Sequence, residues 1–461
     1  MGIHNFFSWI KENYSDAIMS PKIETEYDHG YFDINYFLHY SIYKCQNTDA
    51  FLLRLSSTLN WVFKKITFNK SVTFVLDGAP PYAKVVVQKK RRQGISEEEV
   101  NQLNFLHLTP GTELMIKITH HLKGYLKEQK VKHPNLKFYL SSASIPGEGD
   151  IKICSKVLKN RSGTHLIICK DADLISMATS LNIPDIDVYV HPEMIVSIDR
   201  LMDNFSKGVP EHLHKYIPSD FCLLSTMMGN DYLPKLQFVK FESLFDIYKN
   251  FIKKKNTHLI TNGSIREDIL MQFMFEVFNS LNTRFRKVNF NELCNSNIVT
   301  DYLKGLTWTL KMYMTGNCPM IDYIYKHKSA PNPGDIAYYL MLNPKTDIQC
   351  PISDIKPLNI DMYNVLVFPK KAKKLIPERF RKLIDNKLAF LYEEETCKTC
   401  KQIKDDYGKF YKQMKKYDNK SDEVKQIRKQ IGEVSKRNML HKKEHSETIS
   451  IEKVLSTLST T

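Results

Sequence analysis

The stretch 141–153, SSASIPGEGDIKI, sets two acids, Glu148 and Asp150, two positions apart behind a Pro-Gly turn. A second pair, Asp171 and Asp173, lies in HLIICKDADLI. In an extended segment, side chains at i and i+2 point the same way, so each pair can reach one point. Four carboxylates converging without a cation repel and force protons on. Hard divalent ions relieve that repulsion, and Mg²⁺ or Mn²⁺ prefer carboxylate oxygen. Two such ions roughly 4 Å apart clamp an in-line displacement at phosphorus, one activating water and one stabilising the leaving oxygen. A single D-x-D after a strand reads as a helix cap or turn. Two pairs, together with Asp33 and Asp77 at the ends of further apolar runs, favour a metal site.

Behind Asp77 comes GAPPYAKVVVQKKRRQG. A helix from about 82 puts Lys84, Gln88, Arg91 and Arg92 at i, i+4, i+7 and i+8, on one face. Arginine offers a planar fork to phosphate oxygens and lysine a point charge. Most such runs are solvated faces. Beside a metal-type aspartate, this one can hold a terminal phosphate.

The elements that carry these residues are legible as alternation. Ile3, Phe6, Phe7 and Ile10 have helical spacing, and YFD, VTFVLD and HLIICKD are short apolar runs ending in Asp33, Asp77 and Asp171. Helical stretches at 101–130 and 150–160 lie between or after them. This predicts an α/β fold, a mostly parallel central sheet flanked by helices, with ligands outside the carboxyl ends of the strands. From about 245 to 395 longer helices, 264–282 and 300–314 among them, predict a mostly helical second domain. The expected organisation is a core over 1–245, a helical region over 246–395 and a basic tail over 396–461. That tail holds 16 Lys/Arg against 9 Asp/Glu, a net of +7, and reads as exposed helix or a partly disordered tail. Its Cys397 and Cys400 are spaced like half a zinc site, and His441 and His445 stand at i, i+4. Because the intervening segment is far longer than a zinc finger needs, the preferred reading is free thiols.

The whole chain, 461 residues with 42% hydrophobic content and a net charge of +15, points to a large core and a polyanionic partner. Nine cysteines without a regular framework suit a reducing compartment. No apolar run reaches the length of a membrane span. The start, MGIHNFFSWI, has neither the basic, apolar layout of a signal peptide nor a Ser or Thr at position 6 for myristoylation. The expected location is cytoplasmic, with the nucleus as the alternative.

Taken together, the motifs resemble the XRN family of 5′→3′ exoribonucleases. MGIHNFFSWIKENY resembles the family's opening, FDINYFLH its D-x-N-x-x-x-H, and DGAPPYAKVVVQKKRR its D-G-x-x-P-x-A-K…Q-x-x-R-R. LTPGTELM, IPGEGDIKI, DADLI and MMGNDYLP are similar to its following motifs, in order, and YLKGLTWTLKMYMTGNCP and SAPNPGDI more loosely to its second conserved region. The resemblance implies a flap-nuclease or PIN-like core. It also implies two Mg²⁺ ions (Mn²⁺ as substitute) held by Asp33, Asp77, Glu148, Asp150, Asp171, Asp173 and Asp231. Lys84, Gln88, Arg91 and Arg92 would select a 5′-monophosphate, while His39 would stack on the terminal base with Trp308 as its aromatic partner. The implied activity is processive 5′→3′ hydrolysis of single-stranded RNA to mononucleotides in mRNA decay, by a monomer that a decapping partner could feed. Asp150 stands where the family usually has Glu, and DIKI lacks the expected histidine. The chain is also compact for the family, as a viral member would be. Two rivals remain: a 5′-flap or 5′→3′ DNA exonuclease of the same superfamily, and a catalytically silent RNA-binding clamp.

Overall fold

The computed structural model describes residues 6–20, 25–190, 194–286, 288, 297–344, 348–393, 397–417 and 421–441, together with 453, 454, 456 and 457. Ile3 and His445 lie outside the described residues. Seven strands form one sheet: β1 Ile18–Met19, β2 Thr25–Asp33, β3 Ile66–Val75, β4 Lys137–Ser141, β5 His165–Cys169, β6 Ile186–Val190 and β7 Met194–Ser197. Their order is β1-β7-β6-β5-β2-β3-β4. The five strands from β6 to β4 run parallel, and β7 and β1 close one edge antiparallel.

The central strands are apolar on both sides because both sides are covered. Phe32, Phe74 and Ile168 pack against Phe37, Phe51, Leu55 and Ile118 on one face, whereas Tyr31, Val75 and Ile167 pack against Ile153, Val157 and Phe221 on the other. Such strands read as continuous hydrophobic runs, which is what the sequence offers. The chain steps from β2 to β3 to β4, then returns to the far side of β2 as β5. That reversal opens a crevice at the carboxyl ends of β2 and β5.

By its contacts the chain forms two compact units, one of residues 1–84 and 103–359, the other of 85–102 and 360–461. Residues 246–359 therefore do not stand apart as a helical domain. Phe273 of helix Glu267–Ser280, Leu306 of helix Ile298–Thr315 and Ile336 of helix Pro333–Leu342 share the core that Tyr31 and Val75 belong to. The physical reason is that these helices' apolar faces complete the cover of the sheet. The second unit is helical, with Val365, Leu366, Phe368, Ile376, Leu388 and Tyr392 buried. Its last part is two helices, Lys398–Met414 and Asp422–His441. Among the described residues no helix is long and apolar enough to cross a membrane.

Candidate active site

Each acid sits at the carboxyl end of its strand. Asp33 ends β2, Asp77 follows β3 by two residues, and Asp171 follows β5 by two. Beyond β4, a loop leads to helix Gly149–Lys159, with Glu148 at its N-cap and Asp150 in its first turn. The loops carrying Asp77 and Glu148 are joined by paired backbone hydrogen bonds, Gly78 N to Gly147 O and Gly147 N to Ala79 O, both 2.8 Å. No side chain fits at Gly78, where a Cβ would lie 1.9 Å from the Ile145 carbonyl oxygen. Across this junction Gly149 N–H donates to Asp77 Oδ1 at 2.5 Å.

The paired acids do not lie within strands, as i, i+2 spacing suggested; each pair opens a helix, with Glu148 the extended N-cap and Asp150 in the first turn. Asp173 is the first residue of helix Asp173–Ser180, and its N–H donates to Asp171 Oδ1 at 3.1 Å. Asp33 caps helix Ile34–Ile42 by accepting from Asn35 N at 3.1 Å. Capping and metal readings are thus compatible, since an acid at a helix N-terminus meets orphan N–H groups and the positive end of the dipole.

Lys84 lies elsewhere than on an open phosphate face. Its ammonium ion-pairs with Glu148 Oε1 at 2.7 Å and with Asp231 Oδ2. Burial works to lower its pKa, but Glu148, Asp231 and Asp150 outweigh that and hold it well above the usual lysine value. Asp231 thereby joins the cluster through a cation, a link with no sequence signal because the partners lie far apart. Tyr232, also missed by sequence reasoning, donates its phenolic proton to Glu148 Oε2. Burial, then Glu148 and Asp150, keep that phenol protonated. A third buried group, Lys152, donates to the carbonyls of Leu76 at 2.9 Å and Ser142 at 3.3 Å, bracing the β3 and β4 ends.

The acids are crowded. Burial and the Asp77 carboxylate push Asp33 up to about 8, against hydrogen bonds from Asn35 and Tyr36 N–H. Burial and Glu148 push Asp150 well above the carboxylate range, with Lys84 opposing. No three of the seven bring their oxygens within 4.8 Å of one another. An all-oxygen set in which burial and neighbouring carboxylates push Asp33 and Asp150 toward their protonated forms is the donor chemistry that a hard divalent cation fits.

The remaining predicted residues divide. Helix Tyr82–Arg92 forms as expected, and the unit boundary falls within it, after Lys84. In the second unit Gln88 Oε1 accepts from the Tyr363 hydroxyl, Arg92 lies 5.7 Å from the Phe368 ring centroid and Arg91 is exposed. His39 is exposed on helix Ile34–Ile42. Trp308 is fully buried. Its indole N–H donates to Met320 O at 2.9 Å, Tyr323 stacks on it and Tyr232 meets it edge-on at 5.1 Å. A ring with no exposed face cannot stack on a base, so here Trp308 supports Tyr232 instead.

Acids at the carboxyl ends of adjacent parallel strands, threaded by a lysine, describe a phosphodiester-cleaving class of site. Comparison with known proteins gives the lineage. The family description "XRN 5'-3' exonuclease N-terminus" matches residues 1–107 and 93–190, and "Xrn1 helical domain" matches 281–396. The chain belongs to the XRN family of 5′-3′ exonucleases. It is 21% identical to 5'-3' exoribonuclease 2 of Gallus gallus over 62% of this chain and 43% of that protein. It is 25% identical to 5'-3' exoribonuclease 1 of Schizosaccharomyces pombe over 60% of this chain and 26% of that protein. The chain thus spans less than half the length of these curated relatives. A solved structure, the catalytic core of Rad2 in complex with DNA substrate, aligns at 12% identity and a TM-score of 0.39, covering 82% of this chain and 100% of that one.

Proposed function

We propose that this chain is a divalent-metal-dependent 5′→3′ exoribonuclease that removes mononucleotides from single-stranded RNA bearing a 5′-monophosphate, acting in mRNA decay. The observation that carries the reading is the convergence of Asp33, Asp77, Glu148, Asp150 and Asp171 at the carboxyl ends of β2 to β5, with Lys84 between Glu148 and Asp231. Family membership supports the direction of attack and the choice of RNA.

Asp33, Asp77, Glu148, Asp150, Asp171, Asp173 and Asp231 would hold the ions, two Mg²⁺ by family resemblance. Bound there, the ions supply an activated water and charge stabilisation for the leaving oxygen. The rest falls to the chain. Tyr232 fixes one oxygen of Glu148 and leaves the other to Lys84. Lys84, kept cationic, neutralises acids and can meet a phosphate oxygen that approaches them. Gly149 N–H orients Asp77, and the Asp173 amide orients Asp171. Gln88, Arg91 and Arg92 are assigned the terminal phosphate and His39 the terminal base, as the family motif implies; stacking suits a strand of any sequence.

The test is a time course with Mg²⁺ on end-labelled 5′-monophosphate RNA, 5′-hydroxyl RNA and 5′-monophosphate DNA. Mononucleotide release from the first alone is expected, and Arg92→Ala should narrow the gap between the two RNAs. Equal attack on DNA would favour a flap or DNA exonuclease. Binding without cleavage would leave an RNA clamp.

A further inference from the structure

The strongest unexplained cluster lies in the second unit, far along the sequence from the acids. Cys397, Cys400 and His441 bring their ligating atoms within 4.8 Å of one another. Cys397 Sγ lies 3.2 Å from His441 Nε2 across 44 positions of sequence. Cys397 is the N-cap of helix Lys398–Met414 and Cys400 lies in its first turn, while His441 is the last residue of helix Asp422–His441. Neither cysteine is in a disulfide.

We propose that Cys397, Cys400 and His441 form a structural zinc site that ties the start of one helix to the end of the other. Tetrahedral zinc, with Zn–S near 2.3 Å and Zn–N near 2.0 Å, separates its ligand atoms by about 3.5–3.8 Å. The Cys397–His441 separation of 3.2 Å lies close to that spacing and the other two are within 4.8 Å, so modest side-chain adjustments reach it. Binding releases the two thiol protons, and the helix N-terminus beneath the cysteines favours the resulting thiolates. Three protein donors leave one tetrahedral position for solvent or a further side chain.

The hairpin has reason to need a tie. Ile403 is the buried residue of the first helix, and Val424, Ile427 and Val434 are buried on the second. Elsewhere the pair is joined by Arg437 and Asp406, a half-exposed ion pair of little net worth. So thin an apolar seam leaves the register of two helices weakly set. A metal at the open end closes the loop and fixes it. A redox pair is the other use of C-x-x-C, but it has no need of a histidine brought to the first cysteine by a second helix.

The experiment uses the full chain, reduced and stripped of metal by a chelator, then titrated with Co²⁺ followed by Zn²⁺. The expected result is a thiolate-to-cobalt charge-transfer band with tetrahedral visible bands, both displaced by about one equivalent of Zn²⁺. The carboxylate cluster cannot give the sulfur band, so the two metal sites are read separately. Cys400→Ser and His441→Ala should each weaken or abolish the signal. No sulfur band in the unsubstituted protein, or a signal indifferent to His441→Ala, would overturn the proposal. So would a Cys397–Cys400 disulfide found by mass spectrometry in protein kept under reductant.

Discussion

Replacing Trp308 by leucine separates two uses of one side chain. As the structure places it, the indole fills a fully buried site, donates to the Met320 carbonyl and contacts Tyr232 and Tyr323. Leucine leaves part of the ring volume empty and the carbonyl unpaired. An unsatisfied buried carbonyl costs about 1–3 kcal/mol, and two lost aromatic contacts about 0.5–1.5 kcal/mol each. With the partial cavity, a loss of roughly 3–5 kcal/mol is expected, the upper range for a large-to-small core change. The denaturant midpoint should fall accordingly.

RNA affinity should hardly move. Measured by anisotropy on an Asp171→Ala background, at a temperature where both proteins are folded, the Kd should change less than about twofold. A base-stacking residue would behave oppositely, costing about 1–3 kcal/mol of binding per stacked base, or about 5- to 150-fold in Kd. Turnover should fall even so, because Tyr232 loses its edge contact and with it the fixed donor to Glu148. A displacement near 1 Å can cost on the order of a hundredfold in rate. A large rise in Kd with stability unchanged would refute the core assignment.

The Asp33 carboxyl gives a pH prediction. Burial and the Asp77 carboxylate push its pKa in the folded chain up to about 8, above the ordinary aspartate value, so between those pH values the folded state binds more protons, and metal-free stability should decline as pH rises toward 8. Because a bound cation displaces that proton, Mg²⁺ should stabilise more at pH 8 than at pH 6; thermal unfolding with and without Mg²⁺ checks this, and the reverse trend would contradict it. At Gly149, a Cβ would meet Asp77 Oδ1 at 3.0 Å and Asp33 Oδ1 at 3.6 Å. Gly149→Ala should therefore cut kcat by at least about tenfold through displaced carboxylates, while stability, helped by up to about 1 kcal/mol of alanine helix preference, stays level; unchanged kcat would show that the acids tolerate the shift.

Much of this site is written locally. Apolar runs that end in aspartate mark Asp33, Asp77 and Asp171 because a strand covered on both faces needs continuous hydrophobicity and stops where the chain turns into solvent. Helix Tyr82–Arg92 follows from its spacing. What escaped is long-range. Lys84 carries no mark that sends its ammonium to Glu148 and Asp231 rather than to a phosphate, and Tyr232 looks like an ordinary turn residue after GND. Trp308 illustrates the limit of motif transfer, since a matched motif fixes its position in the chain and only packing decides its exposure. The joining of 85–102 to 360–461 and the approach of His441 to Cys397 depend on contacts that no local period encodes.

The local devices also show what a divalent cation would add to the arrangement. Helices Ile34–Ile42, Gly149–Lys159 and Asp173–Ser180 each begin at an acid of the cluster. Each N-terminus returns about 0.3–1 kcal/mol to a nearby negative charge, and about 2 in favourable partly buried cases. The rise of Asp33 to about 8 corresponds to a penalty on the order of 5 kcal/mol for its charged form, and Asp150 is pushed the same way. Helix ends therefore recover only part of the cost. Lys84 adds a single charge, placed on Glu148 and Asp231 rather than beside Asp33. Without further positive charge, Asp33 with its pKa pushed up to about 8 favours the protonated form at neutral pH, and burial pushes Asp150 in the same direction. On the proposed reading, two divalent ions would add four charges to those of Lys84 and Lys152 and offset the burial that disfavours the charged acids.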